Sequence, residues 1–282
     1  MTHLLRCKSQ ALVFMFVLSL FLGPGSGTAR AAGDDGALAF PQKFMIRLAS
    51  YSVQDADTSL AVASTSSGAG VGYSFSDDLG GEDSVTVPRI DAYYRFNDRH
   101  QILFTAFTYS LDGRRVLDID VDLEDESFQV GETLVSDISY SLVKVAYGYS
   151  FYRTDRVELG LIAGLNINSH DFDYELADGS QGNSSSVSAP LPMFGFRMSY
   201  MMTPRWSVHY ISEAFHLRID DALAGSFTTS ELDIQYQVNP KFALGAGLSR
   251  HSTNLNADDS DWKGRIADSH RGLLAYASLY LD

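Results

Sequence analysis

Over most of the chain, apolar residues fall at every second position. From 143 to 151, Val143, Val145, Tyr147, Tyr149 and Phe151 share one face, and Lys144, Ala146, Gly148 and Ser150 share the other. From 157 to 167 the apolar face is Val157, Leu159, Leu161, Ala163, Leu165 and Ile167, opposed by Glu158, Gly160, Gly164 and Asn166. The same alternation runs through Leu232, Ile234, Tyr236 and Val238, through Leu244, Ala246 and Leu248, and through Leu273, Ala275, Ala277, Leu279 and Leu281. A period of two is the signature of a strand with one apolar face. Applied along the chain, it predicts ten strands: 43–51, 85–96, 101–110, 136–151, 157–168, 189–201, 205–217, 227–238, 241–251 and 271–281.

The connections between these strands alternate in length. Asn97-Asp98-Arg99, Arg153-Thr154-Asp155, Thr203-Pro204 and Asn239-Pro240 are short and rich in turn formers. Segments 52–84, 112–134, 170–186, 219–226 and 252–270 are long and polar. Aromatic residues gather beside the short turns: Tyr94, Phe96, Tyr152, Tyr200, Trp206, Tyr236 and Phe242. Two architectures share such alternation. A soluble sandwich, or a soluble ligand-binding barrel, turns its apolar faces inward. A membrane barrel turns them outward, with an interfacial aromatic girdle, short turns on one side and long loops on the other. The polar faces mix Gly, Ser and Asn with opposite charges, which suits a narrow bore better than an open solvent face. The expectation is therefore an all-β, closed antiparallel transmembrane β-barrel of about ten strands, with eight or twelve as alternatives. Its long loops are external and its short turns periplasmic. Segment 57–76 either hides a further hairpin or extends the first loop.

The first 31 residues read as an export signal. Arg6 and Lys8 precede an apolar run, 11–22, broken only by Ser19; Gly23-Pro24-Gly25 and the small-residue site Ala29-Arg30-Ala31 follow. The run is too short for the roughly 20 residues of a membrane helix. Cys7, the single cysteine, lies before the run, which argues against lipidation. The expected organisation is a signal peptide at 1–31, a periplasmic lead-in at 32–42 and a barrel at 43–282, with no appended peptidoglycan-binding domain. The 282-residue chain carries 35 acidic and 21 basic side chains. Cleavage after Ala31 leaves a still more acidic protein without cysteine. That charge excludes nucleic acid as a partner, because a phosphate backbone needs a basic surface. No later segment has 18 consecutive apolar residues, so a closed barrel is the remaining way to span a bilayer.

The mature chain resembles a small Gram-negative outer-membrane β-barrel protein of the broad group of OmpA-, OmpX- and OmpW-like proteins. Residues 88–97 (PRIDAYYRFN), 145–151 (VAYGYSF), 203–206 (TPRW) and the alternating last strand carry the resemblance. It implies residence in the bacterial outer membrane as a monomer. The implied partners are outer-membrane lipid, lipopolysaccharide and the barrel-assembly machinery. The last strand ends Tyr280-Leu281-Asp282, where such barrels usually carry a terminal aromatic.

On this register Arg89, Asp91, Arg95, Lys144, Glu158, Arg197, His209, Glu213, Glu231 and Asp233 point into the bore, with Tyr93, Tyr140, Tyr276 and Tyr280. A ten-stranded barrel is narrow, and these groups are expected to form an ion-pair network that fills it. The expected role is non-enzymatic, structural or surface-interacting. A narrow channel for small solutes is the first alternative. A lipid A or peptide hydrolase at the external rim is the second, built on His251 and Thr253, with Asp258, Asp259 or Asp261 to orient the imidazole. His209 and Glu213, four residues apart, stand roughly 13 Å apart at the strand rise. No zinc spacing, phosphate loop or nucleotide fingerprint points to a cofactor. In the loops, Asp118, Asp120, Asp122 and Glu124 alternate with Leu117, Ile119, Val121 and Leu123, which predicts a hairpin turning at 124–126. With Asp258, Asp259 and Asp261 they form either a solvated face or a divalent-cation site that bridges to lipopolysaccharide phosphates.

Overall fold

The structure is a computed structural model that describes residues 43–63, 70–76, 78–118, 120–123, 126–219, 223–258 and 263–281. The expected signal peptide and lead-in lie outside the described residues. The strands are β1 (Phe44–Ala63), β2 (Gly70–Ser74), β3 (Val85–Arg95), β4 (His100–Val116), β5 (Val121–Leu123), β6 (Glu126–Phe128), β7 (Thr133–Arg153), β8 (Val157–Leu176), β9 (Gly182–Met201), β10 (Trp206–Ile219), β11 (Leu223–Asn239), β12 (Phe242–Asp258) and β13 (Lys263–Leu281). No helix occurs among the described residues.

Ten of these strands, β1, β3, β4 and β7 to β13, pair antiparallel in chain order, and β13 closes onto β1. Closure through the β13–β1 pairing leaves no free edge strand, as a bilayer interior demands, although β9–β10 pairing stops at Phe194–Ala214 and β3–β4 pairing at Arg89–Phe107. Residues 57–63 continue β1, and β2 returns along that extension from outside the barrel. Residues 59–63 and 70–74 therefore pair as a hairpin that extends the first connection and adds no strand to the ten of the barrel. β5 and β6 make a small separate hairpin in the second connection, with Leu123 opposite Glu126.

The short turns are closed by their own side chains. Asn97 Oδ1 accepts the backbone N–H of Arg99 at 2.9 Å and of His100 at 3.1 Å. Thr154 Oγ1 accepts Val157 N–H, Thr203 Oγ1 accepts Trp206 N–H, each at 3.0 Å, and Asn239 Oδ1 accepts Lys241 N–H at 2.9 Å. These Asx and Thr turns are why two to four residues suffice to reverse the chain at this end.

At the other end the strands run well beyond the expected boundaries. β8 has 20 residues, roughly 66 Å at the strand rise, against about 9–11 residues for a membrane span. Segments 170–186 and 252–270, expected as loops, are largely strand. The reason is a reversal of faces partway along each strand. On β8 the outer face reads Val157, Leu159, Leu161, Ala163, Leu165, Ile167, then Ser169, Asp171, Asp173, Glu175. Its inner face reads Glu158, Gly160, Ile162, Gly164, Asn166, Asn168, then His170, Phe172, Tyr174, Leu176. β7 changes between Val143 and Ser141 outside, and between Lys144 and Leu142 inside. Toward the turns the barrel is apolar outside and charged inside; toward the loops it is polar outside and apolar inside. Alternation therefore persists throughout, while the sense of the apolar face inverts where lipid gives way to water.

The registers align this boundary across six neighbouring strands. Leu48, Ile90, Ala106, Val143, Ile167 and Pro190 are successive cross-strand partners at the top of the apolar belt. One step higher, Thr108, Ser141, Ser169 and Ser188 form a row of hydroxyls, with Thr108–Ser141 and Ser169–Ser188 contacts of 3.0 Å. Within the belt Leu161 is 54% exposed, Phe194 66% and Leu248 59%, a surface that a water-soluble fold would cover. Aromatics rim its lower edge: Trp206 lies 4.9 Å from Tyr236, and Tyr94 lies 5.1 Å from Phe96, between ring centroids.

Candidate functional site: the bore

The bore is stratified. Nearest the turns, Glu158 of β8, 1% exposed, accepts hydrogen bonds from two guanidinium groups and a hydroxyl. Arg95 Nη2 donates to its Oε1 at 3.0 Å and Oε2 at 3.2 Å, Ser150 Oγ donates at 2.5 Å, and Arg197 Nη2 also donates to Oε1. Inward chain alternation places Arg95, Glu158 and Arg197 here, and the β8–β9 register sets Arg197 opposite Gly160, whose missing side chain leaves room for the guanidinium.

At mid-depth the network crosses the barrel. Arg89 Nε and Nη2 donate to Asp91 Oδ1 at 3.1 and 2.9 Å, and Arg89 Nη1 donates to Glu231 Oε2 at 2.8 Å. Thr105 Oγ1 donates to the same Asp91 oxygen at 2.8 Å. Arg47 stands 3.7 Å from Glu231 and 3.6 Å from Asp233, with its guanidinium carbon 3.8 Å from the Tyr276 ring centroid. Tyr276 O–H donates to Asp233, and Tyr280 O–H donates to Gln235 at 2.9 Å. Lys144 Nζ donates to Glu213 Oε1 at 2.8 Å. Gly245 and Gly272 face the rings of Tyr276 and Tyr51; a Cβ at either position would overlap the ring. The bore between these groups encloses a cavity of about 150 Å³.

Above the belt lies a histidine–tyrosine layer. His251 and His270 stack with centroids 4.9 Å apart, and Tyr140 is 4.9 Å from His170, 6.1 Å from His251 and 6.4 Å from His270. Both ring nitrogens of His251 are engaged: Nδ1 with Thr229 Oγ1 at 2.9 Å and Nε2 with Thr253 Oγ1 at 2.7 Å. His270 Nδ1 stands 3.4 Å from Asp268 Oδ2. Burial, with the neighbouring His270, lowers the His251 pKa to about 3. Burial alone would raise Asp268, but the bond and charge of His270 and its neighbours His251 and His170 hold it down at about 2. Still higher, Val53, Leu111, Leu134, Ile138, Phe172 and Leu176 pack with Phe75, Leu79 and Phe128 from the long connections, an apolar cap over the bore.

Nine of the ten luminal residues expected from sequence take part in ion pairs. His209 does not: its Nε2 contacts Ser207 Oγ at 2.9 Å and its Nδ1 contacts Ser199 Oγ at 3.0 Å. Sequence reasoning missed Arg47, Thr105 and Tyr276 as partners, although the alternation of Phe44, Ile46 and Leu48 already places Arg47 on the inner face. Asp268 and His270 escape sequence reasoning because the polar stretch 252–270 reads as loop in isolation. His251 and Thr253 do share a face, but deep inside and not at the rim. Of the acidic loop residues, Asp118 pairs with Arg115 at 3.1 Å, and Asp120 Oδ1 accepts Val130 N–H at 2.9 Å. The side chains of Asp122, Glu124, Asp258, Asp259 and Asp261 lie outside the described residues, as does any site they would form together.

A closed antiparallel barrel with an apolar belt outside and a charged bore inside defines an outer-membrane β-barrel fold. Among solved structures, the outer-membrane protease OmpT from Escherichia coli superposes with a TM-score of 0.56 over 86% of this chain and 99% of that one, at 11% identity. The outer-membrane protein OprG from Pseudomonas aeruginosa gives a TM-score of 0.38 at 13% identity, over 86% of this chain and 99% of that one. Ail of Yersinia pestis, solved with the heparin analogue sucrose octasulfate, gives 0.35 at 10% identity, over 83% and 99%. No family model and no curated protein matches the sequence. At 11% identity the likeness to OmpT is one of fold.

Proposed function

We propose that this protein is an exported, monomeric barrel of the bacterial outer membrane whose bore is closed. It serves a structural or surface-interaction role among lipid and lipopolysaccharide, and carries out no reaction of its own. The observation that supports this reading is the Arg89–Glu231 contact of 2.8 Å, which ties β3 to β11 across the bore, beneath the apolar cap. A pore would have to dissolve those pairs into water. Planar-bilayer recording of the refolded protein tests the reading. Absence of discrete conductance steps is expected; steps that change when Arg89 or Arg197 is neutralised would establish the channel alternative. A second reading, hydrolysis of lipid A or peptide, is favoured by one contact, His270 beside Asp268, since a carboxylate that orients an imidazole is the pairing a general base uses. Here His270 lies under Tyr51 and Tyr109, at centroid distances of 6.3 and 5.8 Å, so a substrate would first have to part these rings. Turnover abolished by His270→Ala would replace the first reading with this one.

A further inference from the structure

The turn end of the bore carries more positive charge than its carboxylate can balance. Arg95 and Arg197 share Glu158 as their only salt-bridge partner among the described residues, with Arg95 also donating to the Asp98 carbonyl at 3.2 Å. At mid-depth, by contrast, Lys144 has Glu213, and the two cations Arg47 and Arg89 face three acids, Asp91, Glu231 and Asp233. Together the two layers match five cations with five carboxylates, but in this region, which water screens poorly, the negative surplus sits at mid-depth and the positive surplus at the turn end. Polar groups are left over in the same place. The Nε of Arg95, the Nε of Arg197 and the hydroxyl of Tyr93 are buried and make no hydrogen bond among the described residues. All three side chains line the cavity. Tyr93 and Arg95 are successive inward residues of β3, with the guanidinium carbon 6.0 Å from the ring centroid.

The rim below repeats the bias. Lys43, Arg99, Arg153, Arg156, Arg205 and Lys241 stand at this end. Only Asp98 and Asp155 oppose them among the described turn residues. In a chain of net charge −14, this end is locally basic. A basic rim below a guanidinium pair that shares one luminal carboxylate concentrates anions at this end.

We propose that Arg95, Arg197 and Tyr93, beside Glu158, form a binding site for a small oxyanion that enters from the turn side. The guanidinium groups supply charge and N–H donors, and the phenol supplies an O–H donor; phosphate, sulfate and carboxylate all offer matching acceptors. The site rests on the barrel fold with its turns open to the periplasm, and needs neither a closed nor a conducting bore.

Calorimetric titration of the refolded protein in micelles with inorganic phosphate, at ionic strength held constant with sodium chloride, tests the site. Saturable binding is expected, with sulfate competing. Arg197→Gln should weaken it at least tenfold. Glu158→Gln should tighten it, because removal of the carboxylate raises the uncompensated charge, although the same change loosens the folded network. Tyr93→Phe, which removes one oxygen and keeps the ring, should weaken binding severalfold without loss of the fold. No saturable heat, or affinity indifferent to Tyr93→Phe and Arg197→Gln, would overturn the site. Binding lost equally in Glu158→Gln and Arg197→Gln, with Tyr93→Phe unchanged, would show a structural response and overturn it as well. Conductance plays no part in the readout, so failure here leaves the closed-bore reading standing.

Discussion

Lys144 of β7 and Glu213 of β10 are 69 residues apart in the chain, and meet across the bore at 2.8 Å with both side chains at most 10% exposed. Each ion is the other's salt-bridge partner, which makes the pair a clean probe of what holds the bore together. Lys144→Met should destabilise the barrel by about 3–5 kcal/mol, because it strands a buried carboxylate. Combining it with Glu213→Leu should restore most of that loss. Urea unfolding in micelles, followed through the double-mutant cycle, measures both; a double variant as unstable as the single one would contradict the argument.

The belt has its own test. Leu161→Arg places a charge on the outer face of β8 in the middle of the apolar band and should cost about 2–4 kcal/mol in lipid vesicles. Ser139→Arg, on the outer face of β7 above the hydroxyl row, should cost little. Equal costs at the two positions would show that the boundary does not lie where the faces reverse.

Above the belt, Asp112, Asp137 and Asp173 line up on adjacent strands. Partial burial, with the hydrogen bond and charge of Asp112, raises the Asp137 pKa to about 6. A raised folded pKa means that the folded protein holds the proton more tightly than the unfolded chain. The contribution is complete below the unfolded value of 3.8 and is lost as pH rises through about 6. Asp137→Asn should remove that dependence and stabilise the protein at neutral pH, as read from unfolding midpoints between pH 4 and 8.

His251 behaves in the opposite sense. Its folded pKa, depressed to about 3, keeps the imidazole neutral between Thr229 and Thr253. The associated stability is complete above the unfolded value of 6.5 and erodes as pH falls toward 3. His251→Gln should flatten the acid side of the stability profile; an unchanged profile would assign the acid response to other groups.

The barrel itself was legible in the chain. Period-two alternation is a covalent property of extended backbone, and side-chain-closed turns at Asn97, Thr154, Thr203 and Asn239 are local chemistry, so a barrel of about ten strands and the alternation of short and long connections follow without tertiary knowledge. Closure of β13 on β1 fixes the number at ten. The inward set was legible for the same reason: Arg89, Lys144, Glu158 and Glu231 stand opposite apolar neighbours on their own strands. The closed structure alone decided which of them meet. Arg89 finds Glu231 142 residues away, and that pairing depends on register and closure accumulated over the whole circumference. The reversal of faces at Val143 and Ser141 was likewise settled only by the barrel. A polar stretch with Ser, Asp and Tyr reads as loop in isolation, yet continues as strand when the barrel interior supplies an apolar core and the exterior supplies water. That is how Asp268, His270 and His251, on segments apart in sequence, came to share one buried layer.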